Sequence, residues 1–228
     1  HIESGTRGGL LELYLWRIKK KYQEKVRIVL LSAVTPNMYD IVKWLGKKPH
    51  QITLNDRSTR MRAGIFTPSK NKGIIKYFDG TQIDILNQLE KGKVDQLIQL
   101  ASALKKAGPV LIVAKGKAEC QKLAKKMKEW LIDHNTVVEL DTDQLESDII
   151  QRLDSRLKRE MSSDTELRNL FKYRVAYHHA GLPPRVRESV ENAIRNNFID
   201  FVFATTTLAE GVNFPFSTVV VQSLALRE

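Results

Sequence analysis

Short apolar runs alternate with longer segments of helical periodicity along most of the chain. The runs at 110–113 and 201–204 are wholly apolar and only four residues long, which is typical of buried strands. The same pattern predicts further strands at 26–31, 174–177 and 219–224, and helices near 8–23, 38–45, 83–106, 118–131, 144–158, 165–171 and 184–196. Strands that alternate with helices form parallel sheets with helical crossovers. The sequence therefore predicts an α/β fold.

The stretch from Lys47 to Asp79 interrupts this alternation. Pro49, Pro68 and Gly73 punctuate short apolar pieces there, which indicates extended chain with a hairpin. We therefore divide the chain into a first α/β part at 1–56, a connector with a hairpin at 57–80, and a second α/β domain at 81–228.

The chain is strongly basic. Its 228 residues include 37 Lys and Arg against 26 Asp and Glu, which gives a formal net charge of +11. A surplus of this size favours a polyanionic partner, most often nucleic acid. A hydrophobic fraction of 42% excludes a wholly disordered chain. No apolar run reaches the roughly 18 residues of a membrane span, so we expect no membrane association.

The chain contains a single cysteine, Cys120. One cysteine excludes a disulfide scaffold and fits a reducing compartment, so we expect an intracellular protein of the cytoplasm or nucleus. Glu119 precedes it and no basic partner is evident. We predict that Cys120 serves as a small packing residue of a helix.

Ligands of open parallel sheets bind at the carboxyl ends of the strands. The loops at these ends begin at Ser32, Ala114, His178 and Thr205. They carry cations, hydroxyls and small residues, and some of them lead directly into predicted helices. Such groups hold phosphate oxygens without reading bases. This chemistry suits a nucleic-acid backbone or a nucleotide.

The adjacent residues His178 and His179 allow two interpretations. As metal ligands they would need a third ligand at suitable spacing, and none lies nearby in the sequence. Adjacent side chains of a strand also point in different directions. We predict a structural, loop-positioning role for the pair and no metal site.

Taken in order, the motifs of the second half form one long pattern. It consists of His-His-Ala-Gly-Leu at 178–182, then Arg187 and Glu191, then Ala-Thr-Thr-Thr-Leu-Ala-Glu-Gly-Val-Asn-Phe-Pro at 204–215. This pattern resembles the second motor domain of Ski-like DExH-box helicases of superfamily 2. Ser-Ala-Val-Thr-Pro-Asn at 32–37 is similar to the SATLPN motif of the same family.

The resemblance implies RecA-like parallel sheets with flanking helices. Residues 1–56 would be the C-terminal part of the first RecA-like domain, and residues 81–228 most of the second, truncated before motif VI. Three positions depart from the family pattern, and at one of them Lys117 stands where the family usually has an arginine. Arg174 stands where the family commonly has a glycine, and Val34 stands where it has a threonine.

The resemblance also implies residue roles, position by position. His1 matches the last residue of the DExH motif, and Ser32 and Ala33 match the motif that couples ATP hydrolysis to movement. Gly211 and Asn213 match the part of motif V that faces ATP. Residues at three further family positions are expected to contact the nucleic-acid backbone: Lys117, Arg187 and Thr205.

The function implied by the resemblance is that of an ATP-dependent helicase or translocase. The parent protein would use ATP and Mg²⁺ to move along single-stranded or partly duplex nucleic acid, with DNA and RNA both open. The sequence contains neither a GxxxxGK[ST] phosphate loop nor a glutamine–arginine-rich motif VI. We therefore expect this segment of a longer protein to hydrolyse no ATP alone. The alternative is a catalytically dead, helicase-like scaffold that binds nucleic acid or protein.

Overall fold

The computed structural model describes residues 5–22, 25–31, 38–45, 50, 52, 61–136, 148–161, 165–208 and 214–222. Contacts divide the chain into two compact units, His1–Arg60 and Met61–Glu228. Among the described residues, the helices are too short or too polar to cross a membrane.

The described part of the first unit contains two helices, α1 (Gly5–Tyr22) and α2 (Met38–Leu45). Lys19, in the last turn of α1, donates a hydrogen bond to the Trp44 carbonyl. Its ammonium also lies 5.4 Å from the centroid of the Trp44 ring. A cation–π contact therefore joins α1 to α2.

The prediction of a buried strand at 26–31 is wrong. Residues 27–31 form no ladder with any strand that the structure describes, and Leu31 is 93% exposed. A strand needs a neighbour that pairs with its backbone groups. The described residues of the first unit supply only the two helices, so the apolar composition of this run does not decide its conformation.

The second unit begins with a three-stranded antiparallel sheet. Its strands are β1 (Gly64–Ser69), β2 (Lys72–Tyr77) and β3 (Gln82–Leu86), and β2 lies in the middle. Ile75 of β2 and Leu86 of β3 form a small apolar cluster with Leu100. This cluster joins the antiparallel sheet to the helix that follows it.

The predicted helix at 83–106 is wrong over its first part. Residues 82–86 form β3, in which Ile83 lies opposite Ile75 of β2, and the helix begins only at Lys93. Pairing with β2 satisfies the backbone groups of this segment and buries Leu86, and local helical spacing cannot compete with that gain.

A parallel four-stranded sheet forms the rest of the unit. Its elements in chain order are α3 (Lys93–Leu104), β4 (Val110–Val113), α4 (Lys117–Asp133), α5 (Asp148–Glu160), α6 (Thr165–Lys172), β5 (Val175–His178), α7 (Pro184–Arg195), β6 (Phe201–Ala204) and β7 (Thr218–Val221). The strand order is β5-β6-β4-β7, and every pair is parallel. The prediction of an α/β fold with a parallel sheet and flanking helices is confirmed.

The core lies between this sheet and its helices. β4 and β6 are the inner strands, and Ile112 and Phe203 at their centres are fully buried. Leu123 of α4 and Ile194 of α7 join the same cluster. Because helices cover both faces of an inner parallel strand, its residues are apolar without alternation.

Candidate nucleic-acid interface

Three strand ends meet at the carboxyl edge of the parallel sheet. Ala204, the last residue of β6, lies in register with Val113 of β4 and His178 of β5. The Ala114 N–H donates to the Ala204 carbonyl at 2.9 Å. The Thr205 N–H donates to the His178 carbonyl at 3.3 Å. The residues after these three strands therefore share one edge of the sheet, where ligands of such sheets bind.

Lys117 is the first residue of α4, and its side chain lies against the turn that follows β5. A methyl group built on Gly181 would lie 3.1 Å from the Cδ atom and 3.2 Å from the Nζ atom of Lys117. The lysine chain therefore packs directly on the Gly181 backbone, while the residue stays exposed. Its ammonium offers a compact positive charge to a phosphate at this edge.

Arg187 lies in the first turn of α7, which begins at Pro184. The side chain is half-buried. Its Nε atom is buried and has no hydrogen-bond partner among the residues that the structure describes. An unsatisfied buried donor costs about 1–3 kcal/mol. An outward rotation of this half-buried side chain would present the donor to an anion, whose acceptor oxygen would remove that cost.

Thr205 directly follows β6 and is half-buried. Its backbone N–H is held by the His178 carbonyl, as described above. The structure thus places Lys117 and Arg187 in the first turns of α4 and α7, and Thr205 directly after β6, beyond one edge of three adjacent strands. The sequence predicts eight site residues in all, and these three are the ones that the structure describes. Two cations and a hydroxyl in this place match the chemistry that holds phosphate oxygens.

His178, the last residue of β5, is buried and contacts α7. Its Nε2 atom lies 3.1 Å from a carboxylate oxygen of Glu191. Burial lowers the pKa of His178 below its ordinary value, although the hydrogen bond and charge of Glu191 partly raise it. The positive charge of Arg187 lowers this pKa further. The ring is therefore neutral near pH 7.

His179, also buried, contacts α4 on a different side. Its Nδ1 atom accepts a hydrogen bond from the Gly181 N–H at 3.1 Å. Its Nε2 atom lies 3.3 Å from the terminal amide of Gln121. The ring also stacks on Tyr177, with the centroids 5.5 Å apart. The structure thus gives each histidine of the pair its own protein partner.

Two residues of this edge were given no role from the sequence. Glu191 belongs to the motif pattern, but its contact with His178 depends on how α7 packs on β5. Gln121 lies 58 residues before His179, and no local spacing links them. The signal that would have found either one is a three-dimensional contact, not a sequence motif.

Comparison with protein families decides what kind of domain this is. Residues 92–225, more than half of the chain, match the family described as the helicase conserved C-terminal domain. The chain belongs to this family. The motif pattern and the relatives given below identify it as a superfamily 2, Ski-like helicase sequence.

Helicase relatives align with nearly the whole chain. The ATP-dependent DNA helicase Hel308 of Caldivirga maquilingensis is 28% identical over 224 residues, which cover 96% of the chain and 27% of the relative. The pre-mRNA-splicing factor brr2 of Schizosaccharomyces pombe is 28% identical and covered over 10% of its length, with 97% of the chain aligned. The U5 small nuclear ribonucleoprotein 200 kDa helicase of Caenorhabditis elegans is 26% identical, with 97% of the chain and 10% of the relative covered. The chain thus spans about a quarter or less of these relatives.

The other five candidate residues lie outside the described residues. They are His1, Ser32, Ala33, Gly211 and Asn213. Within the described part of the chain, no three His, Cys, Asp or Glu side chains form a group that would hold a metal ion.

Proposed function

We propose that the chain supplies the surface on which the second motor domain of an ATP-dependent helicase holds a single strand of nucleic acid. The observation that carries this proposal is the Arg187 guanidinium, whose buried Nε atom lacks a hydrogen-bond partner among the described residues. A phosphate oxygen of the strand would satisfy that donor once the half-buried side chain rotates toward the sheet edge. Lys117 and Thr205, at the same edge, would hold neighbouring phosphate oxygens.

Charge and relatives support the same function. A net charge of +11 attracts a polyanion over long range. One relative is named an ATP-dependent DNA helicase, and two others are named a splicing factor and a ribonucleoprotein helicase. DNA and RNA share the phosphodiester backbone that the proposed residues would contact, so the site would accept either. An intracellular location follows from a nucleic-acid substrate.

ATP and Mg²⁺ belong to the proposed activity of the longer helicase. ATP hydrolysis would supply the energy for movement, and Gly211 and Asn213 are the residues proposed to face the nucleotide. The described residues would hold the strand while that movement occurs. Arg187 and Thr205 would shift with the domain and carry the bound phosphates along.

The test is strand binding by the chain itself, measured by fluorescence anisotropy with labelled oligothymidine and oligouridine at several salt concentrations. We expect wild-type affinity to fall steeply with salt, because bound phosphates release counterions. Arg187→Ala should weaken binding about tenfold and lower the salt slope by about one. Arg152→Ala is the matched control, because it removes the same charge from an exposed position of α5.

Two results would overturn the proposal. One is a wild-type chain that binds neither oligonucleotide, which would favour a protein-binding scaffold. The other is an equal loss of affinity in Arg187→Ala and Arg152→Ala, which would mean that overall charge, and not the assigned edge, attracts the strand.

A further inference from the structure

The two histidines at the end of β5 contact helices that each begin with a proposed phosphate ligand. His178 contacts Glu191, which lies four residues after Arg187 in α7. His179 contacts Gln121, which lies four residues after Lys117 in α4. Residues four apart lie on the same face of a helix. Each histidine therefore holds its helix one turn beyond the cation.

The hydrogen bonds fix the tautomer of His179. Its Nδ1 atom accepts from the Gly181 N–H, so the proton of the neutral ring resides on Nε2. The Gln121 atom that lies 3.3 Å from Nε2 is the amide nitrogen, which is also a donor. This contact therefore requires the amide to be turned over, so that its oxygen accepts from Nε2–H. The ring thus links the turn beside Lys117 to the helix that carries Lys117.

The surroundings of His178 fix its tautomer too. Its Nε2 atom faces the Glu191 carboxylate and so carries the proton as donor. Its Nδ1 atom is buried and has no hydrogen-bond partner in the described part of the chain. A second proton there would meet no described acceptor. Among the described residues, the neutral ring therefore makes one hydrogen bond, which its Nε2–H at the end of β5 donates to the Glu191 carboxylate.

We propose that His178 and His179 are positioning residues for strand binding. His178 would hold Arg187 in place through Glu191, and His179 would hold Lys117 in place through Gln121. Together they would set the distance between Lys117 and Arg187, which belong to separate helices. This inference rests on the proposed function, since it assigns the residues that position the same phosphate ligands.

The sign of the charge effect separates positioning from simple electrostatics. Glu191 is an anion close to a proposed phosphate ligand, so electrostatics alone predicts tighter strand binding when it is removed. Positioning predicts the opposite, because Arg187 loses its anchored helix face. Glu191→Gln removes the same charge but keeps an oxygen that accepts from His178. The two substitutions therefore divide the charge effect from the contact effect.

The experiment measures the oligothymidine affinity of the whole chain in single and double variants, with thermal unfolding to show that each variant is folded. We expect Glu191→Ala and Gln121→Ala each to weaken binding about threefold, and Glu191→Gln to recover most of the loss. In backgrounds that already lack the cation, Arg187→Ala or Lys117→Ala, the second substitution should cost nothing more. Glu188→Ala, which removes an exposed carboxylate of the same helix, is the control and should not weaken binding.

Three results would overturn the inference. They are tighter binding by Glu191→Ala, no recovery in Glu191→Gln, or the same loss with and without the cation. In each of these cases, weaker binding by Arg187→Ala would leave the proposed function standing. If Arg187→Ala bound as tightly as wild type, or if the wild-type chain did not bind, the proposed function itself would be wrong.

Discussion

The guanidinium Nε atom of Arg174 lies 2.9 Å from a carboxylate oxygen of Asp200. The two residues immediately precede β5 and β6, and their side chains are only 12% and 11% exposed. Arg174 has a left-handed backbone with φ of 58°, a conformation that favours glycine. This conformation gives a physical reason for the glycine that the helicase family commonly has here. The ion pair compensates for its absence in this chain.

We expect Arg174→Ala to destabilise the domain more than Arg174→Gly does. Both variants lose the ion pair with Asp200, while Lys105 still lies 3.3 Å from the same carboxylate. Only glycine relieves the left-handed backbone, a gain of about 1 kcal/mol. Urea unfolding should give losses of about 2 kcal/mol for Gly and about 3 kcal/mol for Ala. Equal losses would show that the backbone carries no strain.

Stability should fall with pH once the solution drops below the ordinary His pKa of 6.5. The folded pKa of His178 is lowered from that value, so the unfolded chain takes up a proton that the folded chain does not. His178 thus makes its full contribution to the free energy of unfolding above pH 6.5. This contribution decreases as the pH falls below 6.5, by at most about 1.4 kcal/mol per pH unit.

The measurement for His178 is urea unfolding of wild type and His178→Gln at about pH 7.5 and about pH 5.5. Glutamine keeps an N–H donor toward Glu191 but does not titrate. We expect a weaker pH dependence in the variant. The same dependence in both proteins would contradict the assignment to His178.

Gly181→Ala should weaken strand binding without unfolding the domain. A methyl group there would lie 3.1 Å from both the Lys117 Cδ atom and the His179 Nδ1 atom. The lysine chain is flexible and moves away first, so we expect about threefold weaker binding to oligothymidine and a nearly unchanged unfolding midpoint. Gly116→Ala is the control, because no atom lies within 4 Å of its added methyl group. An equal effect of both substitutions would rule out displacement of Lys117.

Cys120 should resist alkylation while the domain is folded. Its side chain is fully buried, and burial raises the pKa of the thiol to about 12. Because the thiolate is the reactive species, iodoacetamide should modify it only when α4 opens. We expect slow labelling in native buffer and rapid labelling in urea, measured by mass spectrometry. Labelling at the rate of a free thiol in native buffer would show that α4 does not cover this residue.

The inner strands of the parallel sheet were predictable because helices cover both of their faces, and such strands are continuous apolar runs. β4 and β6 lie at the predicted residues 110–113 and 201–204, where apolar runs are continuous. The segment that begins at Ile83 follows no such rule. Ile83 and Leu86 are three residues apart, which fits a helix, and only the hairpin pairing with β2 makes the segment a strand. The Asp79-Gly80 dipeptide between the two segments is the turn signal that indicates this hairpin, and Gly80 has a positive φ of 84°.

The residues of the candidate site were likewise predictable only in part. Lys117, Arg187 and Thr205 were predicted because each matches a motif position after a strand. Gln121 was not, since its contact with His179 joins residues 58 positions apart. His178, His179 and Glu191 belong to the motif pattern as well, but their contacts with the two helices become visible only when the helices are packed on the sheet.

The strand order has a consequence for synthesis of the chain. Of the four parallel strands, β4 and β5 are synthesised first, yet they do not pair with each other, because β6 lies between them. Among the described strands, β5 pairs only with β6, and β4 only with β6 and β7. On the ribosome, the parallel sheet therefore cannot start to pair before residues 201–204 emerge, whereas the hairpins of β1 to β3 can close early. Until then two apolar strands have bare edges, and this interval is when the nascent chain would most need a chaperone.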